Sequence, residues 1–100
     1  MTPKLEMNDI RSAAAELGKR YGAERIYLFG SYARGDADSD SDVDLRIDKG
    51  RIHGLFALSG LRLALQDQLG VKVDLLTSDS LDDEFLVRIR NEEVLLYAGD

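Results

Sequence analysis

The sequence predicts an α/β (α+β) fold, a small mixed sheet with flanking helices. Three features predict it. Short β-prone runs fall at residues 25–29, 42–47 and 71–76, and apolar residues at helical spacing fill the segments before and between them. A tight connection joins the first run to the second, which makes that pair antiparallel. A long helical segment joins the second to the third, which permits a parallel crossover.

Taken in order, Ile10, Ala13, Ala14, Leu17 and Tyr21 recur at helical spacing ahead of Gly22, predicting an amphipathic helix over 8–21. Arg25 to Phe29 reads as a strand that runs straight into Gly30, and Ser31 to Arg34 as the first turn of a short helix. Residues 36–41 form a polar loop. In the second strand, Asp42 to Ile47, alternation turns Val43, Leu45 and Ile47 to one face and Asp42, Asp44 and Arg46 to the other. Leu58, Leu61, Leu65 and Leu69 stripe a helix over 55–69 that Gly70 caps. Gly60 inside it costs about 1 kcal/mol relative to alanine. Val71 to Leu76 is a third strand, with Val71, Val73 and Leu75 on the core face and Asp74 beside Lys72 on the other. Ser80 with Asp83 resembles a capping box for a last helix carrying Leu81, Phe85 and Ile89, and Val94 to Tyr97 adds an edge strand.

The 100 residues read as one domain spanning 1–100, 44% hydrophobic and 32% charged, as expected of a folded protein with a modest core. With no cysteine, disulfides and thiolate metal sites are excluded, which fits a reducing, cytoplasmic setting. No apolar run approaches the roughly 20 residues that span a membrane. Met1 to Glu6 lacks the basic-then-apolar order of a signal peptide. A net charge of −6 argues against nucleic acid as a partner, because backbone contact needs a basic surface. It leaves open a nucleotide whose charge magnesium offsets, or a basic protein partner.

The chemistry concentrates in Gly30-Ser31-Tyr32-Ala33-Arg34-Gly35 and Ser41-Asp42-Val43-Asp44-Leu45. Glycine lets backbone approach a phosphate closely, and the serine hydroxyl with a neighbouring N–H can donate to it. Asp42 and Asp44 share a strand face, and Asp74 joins them if the second and third strands are neighbours. Clustered carboxylates repel one another unless a divalent cation lies among them, and two such ions can organise phosphoryl transfer. Asp36, Asp38 and Asp40 read as solvated loop residues. An EF-hand starting at Asp36 fails, because Ser41 and Ile47 occupy the positions that need glycine and glutamate. No Gly-Lys-Ser/Thr follows Gly30, so this is not a Walker A loop. Arg34 is either a surface residue or a partner for phosphate or acidic side chains. His53 reads as a solvated helix cap, Tyr27 and Phe29 as core, and Tyr32 as a residue that could flank the site.

On these two segments the chain resembles the nucleotidyltransferase superfamily that includes DNA polymerase beta, whose pattern is Gly-Ser, a short helix, Asp-x-Asp and a third acid on a later strand. It is most similar to the minimal nucleotidyltransferases (MNT), antitoxin partners of HEPN-domain toxins. The resemblance extends over nearly the whole chain, through the strand holding Asp74 to the ending Glu93-Val94-Leu95-Leu96-Tyr97. It implies a polymerase beta-like fold and an Mg-dependent protein adenylyltransferase that moves AMP from ATP to a tyrosine hydroxyl of a HEPN ribonuclease, silencing the toxin. Asp42, Asp44 and Asp74 would then be catalytic and hold Mg2+, two ions in number, while Gly30, Ser31 and Arg34 would bind the nucleotide. Asp74 would help activate the hydroxyl, and the chain would form a hetero-oligomer with the toxin. Two other functions compete: a non-catalytic antitoxin that acts by binding, and a small-molecule nucleotidyltransferase of the aminoglycoside-modifying kind. The second needs an acceptor wall for which 100 residues leave no room.

Overall fold

The computed structural model describes residues 5–99, so the reading of Met1 to Lys4 lies outside the described residues. Elements follow in the order α1 (Met7–Tyr21), β1 (Arg25–Phe29), α2 (Ser31–Arg34), β2 (Val43–Asp48), α3 (Gly54–Leu69), β3 (Val73–Thr77), a 3-10 turn (Ser78–Ser80), α4 (Asp83–Arg90) and β4 (Val94–Ala98). The sheet order is β3-β2-β1-β4. β1 pairs antiparallel with both β2 and β4, and β2 pairs parallel with β3. The sheet is therefore mixed, and α3 makes the crossover that a parallel pair requires.

Alternation decides which face is buried. Ile26 and Leu28 of β1, Val43, Leu45 and Ile47 of β2, Val73 of β3 and Leu96 of β4 form one apolar face. Ile10, Ala13, Ala14 and Leu17 of α1 and Leu61, Leu65 and Leu69 of α3 close over it. Each fully buried aliphatic side chain contributes about 1.5–3 kcal/mol, so this layer carries most of the stability. Glycines in the left-handed region end α1 and α3, at Gly22 and Gly70, as their positions predict. Leu58 is only partly buried, so the α3 stripe narrows towards its start.

Several expectations need correction. β2 begins at Val43, whose N–H donates to the Lys72 carbonyl, which leaves Asp42 just outside the ladder. β3 begins at Val73, because the Gln66 side chain accepts the Val73 N–H at 3.1 Å, and Val71 precedes the strand. The cap of α4 is Asp82, whose carboxylate accepts the Phe85 N–H at 2.8 Å. Ser80 is turned back into the 3-10 turn, donating to the Thr77 carbonyl, and Leu81 lies before the helix. Tyr27 and Phe29 alternate away from the layer under α1 and α3, yet Phe29 is buried as expected of core, and only Tyr27 is half-buried. Phe29 meets Phe85 of α4 edge-on, and Tyr27 lies under the Arg46 guanidinium at 4.0 Å. Tyr32 is buried in the core beside Ala37 rather than flanking the acids. His53 stands at the N-cap of α3, exposed and without a capping bond from its side chain.

Candidate active site

The acids lie on the sheet face that α1 and α3 leave open. Burial of Val43, Leu45 and Ile47 forces Asp44 and Arg46 outward from β2. The parallel register sets Asp44 opposite Asp74, and the antiparallel register sets it opposite Phe29, the residue before Gly30. Asp44 thus stands between the glycine turn and the third acid. Asp42 lies just ahead of the strand, with its side chain 3.8 Å from Lys72 Nζ. The same ammonium lies 3.9 Å from Asp74.

Asp44 and Asp74 face each other across the parallel ladder, and two carboxylates so placed disfavour each other's ionisation. Burial first, and then the nearby charges of Asp74 and Asp42, push the Asp44 carboxyl up to about 6, while the Arg34 charge opposes them. This donor set fits a hard cation: all oxygen, mutually repulsive, and approached by the Lys72 ammonium where a divalent ion would relieve the same charge. Among the described residues no three His, Cys, Asp or Glu side chains are already converged as a ligand cluster. Asp44 and Asp74 are brought together, whereas Asp42 is turned to Lys72.

Gly30 ends β1 with φ 78° and ψ −157°, a backbone that side chains do not adopt. A Cβ there would overlap the Asp44 carboxylate, falling 3.1 Å from its Cγ. The glycine therefore makes room for the acid as well as for any phosphate. Ser31 opens α2 half-buried, and its carbonyl accepts the N–H groups of Gly35 and Asp36. Arg34 meets acidic side chains: its Nε donates to Asp36 at 3.2 Å and its Nη1 to Glu92 at 3.2 Å. Asp36, Asp38 and Asp40 are exposed, and Asp38 accepts from the Asp40 N–H and the Ser41 hydroxyl within its own turn.

Two acidic residues at this face escaped the sequence reading. Glu92, in the turn between α4 and β4, accepts the Gly30 N–H at 2.6 Å. Its neighbour Glu93 forms a two-pronged pair with Arg46, at 2.8 and 3.1 Å, and both side chains are nearly buried. The Glu92-Glu93 pair ahead of a short strand was the available signal, but nothing local says what either residue meets. A hollow of about 620 Å³ lined by Lys19, Arg25, Arg51 and Tyr97 lies at the Arg25 end of β1, away from the acids. Its walls bring no paired carboxylates, so the aspartates remain the candidate site.

Residues 9–97 match the family model described as the nucleotidyltransferase domain. The chain is 39% identical to the protein adenylyltransferase MntA of Thermococcus cleftensis over 79 residues, covering 79% of this chain and 80% of that one. A solved structure proposed to be a minimal nucleotidyltransferase superposes with a TM-score of 0.80 at 32% identity, over 93% of this chain and 98% of the other. A complex of a tri-AMPylated HEPN toxin and an MNT antitoxin from Shewanella oneidensis superposes with a TM-score of 0.71, covering 95% of this chain and 74% of that one; at 20% identity, that likeness concerns the fold. Fold, motif spacing and relatives agree, and the chain belongs to the nucleotidyltransferase domain family, as one of its minimal members.

Proposed function

We propose that the chain is an Mg2+-dependent protein adenylyltransferase that moves AMP from ATP to a tyrosine hydroxyl of a HEPN-domain toxin. The observation that carries this is the Asp44–Asp74 pair standing directly against the Gly30 turn. Phosphoryl chemistry is dominated by positioning and charge, and this face offers both. Gly30, Ser31 and Arg34 would orient the triphosphate, and Asp42, Asp44 and Asp74 would hold magnesium. Bound there, the metal would offset the charge that builds on the phosphates. The tyrosine oxygen attacks the α-phosphorus, the bond from that phosphorus to the bridging oxygen breaks, and pyrophosphate leaves. The tyrosine proton would pass to a carboxylate, and Asp74, on an edge strand and half-exposed, would accept it. Asp42 and Asp74 are partly exposed, which supports a macromolecular acceptor over a small one, since a second protein would close over them. The MntA relative and the AMPylated HEPN complex support the same direction.

The test is intact-mass analysis of a HEPN-domain protein encoded beside this chain, after incubation with the chain, ATP and magnesium. One or more added AMP units are expected, with peptide mapping to a tyrosine. Asp42→Asn with Asp44→Asn should abolish the increment, and transfer retained by that variant would end the proposal. If the folded double variant still neutralises the toxin in cells, binding alone is the function.

A further inference from the structure

We propose that Glu92 sets the nucleotide affinity of the chain by standing in for a phosphate oxygen at Gly30 and Arg34. The inference rests on the reading that these two groups receive the triphosphate. One carboxylate oxygen, Oε2 of Glu92, takes both donors, the Gly30 N–H at 2.6 Å and Arg34 Nη1 at 3.2 Å. A phosphate oxygen offers the same charge and the same acceptor geometry, and both anions prefer charge-assisted bonds to a guanidinium. Two anions cannot use that pair of donors together without repulsion. The contact is also built to be released. Glu92 lies on the short turn between α4 and β4, and its side chain is 25% exposed, so it can swing into water. Arg34 is about half exposed and keeps Asp36 as its second anchor when Glu92 leaves. A nucleotide must therefore displace an internal competitor, and its apparent affinity falls by the fraction of chains in which the donors are free.

The opposite role is a brace, in which Glu92 holds Arg34 in position for the phosphates. The two roles predict opposite signs. Glu92→Gln keeps an acceptor for the Gly30 N–H but removes the charge, and Glu92→Ala removes both. Calorimetric titration with magnesium and a non-hydrolysable ATP analogue would be run on wild type and both variants, with far-UV circular dichroism confirming their folds. A stand-in predicts tighter binding in both variants, on the order of tenfold, and more in Glu92→Ala. Inorganic tripolyphosphate should show the same gain, because the competition is for the phosphate chain. In turnover, KM for ATP should drop while kcat holds, a split that a merely structural loss would not give. Equal or weaker binding in folded Glu92→Gln, or a gain confined to the nucleotide, would overturn the inference while leaving the proposed function standing. Absence of binding in all three proteins would overturn both.

Discussion

Gly30→Ala tests the claim that this glycine serves Asp44. Its backbone, at φ 78° and ψ −157°, belongs to a region open essentially to glycine alone, and occupying it with alanine costs about 1–3 kcal/mol. The new methyl would also overlap the Asp44 carboxylate, so that side chain must move from its place opposite Asp74. Together these effects should cost about 3 kcal/mol, which a 100-residue domain of ordinary stability survives. Gly35 is the control. Its φ of 85° is also positive, but no atom lies within 4 Å of where a Cβ would stand. Gly35→Ala should therefore lose only the left-handed strain, about 1 kcal/mol. Urea denaturation of both variants, with and without magnesium, separates the two. Gly30→Ala should lose more stability and also lose the stabilisation expected of magnesium at the proposed acid site, which Gly35→Ala should retain. Equal losses, or a Gly30→Ala protein with its magnesium response intact, would refute the argument.

Two further outcomes are expected. The Asp44 carboxyl is raised from 3.8 to about 6, so its ionisation costs the folded state stability above pH 6, and that cost disappears as the pH falls through 6 towards 4. The shift corresponds to about 3 kcal/mol, reduced to about 1–2 by solvent at this half-buried position. In chelator, Asp44→Asn should be the more stable protein at pH 8 and lose that advantage by pH 4; a difference that stays constant with pH would contradict this. Arg46→Ala should destabilise by about 3–5 kcal/mol, because it strands the nearly buried Glu93 charge, and adding Glu93→Gln should recover much of the loss. A double-mutant cycle by chemical denaturation that returns no coupling would show that the pair is not what stabilises this face.

What could be read from the sequence follows from how far each signal reaches along the chain. The second strand was legible because its alternation is local: Val43, Leu45 and Ile47 are fully buried, and the acids follow by geometry. The α4 cap was misplaced because Ser78, Asp79, Ser80 and Asp82 are four capping candidates within five residues, and which one caps depends on whether the chain first makes a 3-10 turn. Tyr27 looks like core because its type is apolar, yet it occupies an odd position of a strand whose even positions face α1 and α3; Phe29, also odd, is buried only because Phe85 of α4 packs on that side. Glu92 and Glu93 were beyond reach for another reason. Their partners lie 62 and 47 residues away, across pairings that no local pattern specifies.

The site depends on register as much as on residue type. Its glycine turn ends β1, its central acid lies in β2 and its third acid in β3, and no two of these are neighbours in sequence. Asp44 joins them by standing opposite both Phe29 and Asp74. A slip of one residue in β2 would turn Asp44 into the apolar layer and set Val43 or Leu45 against the turn. Three fully buried side chains oppose that slip, and burying a carboxylate in their place without a partner would cost several kcal/mol more. The apolar face, which takes no part in the chemistry, thereby fixes the geometry of the face that does. Conservative changes at Val43, Leu45 or Ile47 that preserve volume should leave the acids aligned, whereas a polar residue there threatens the register and the site together.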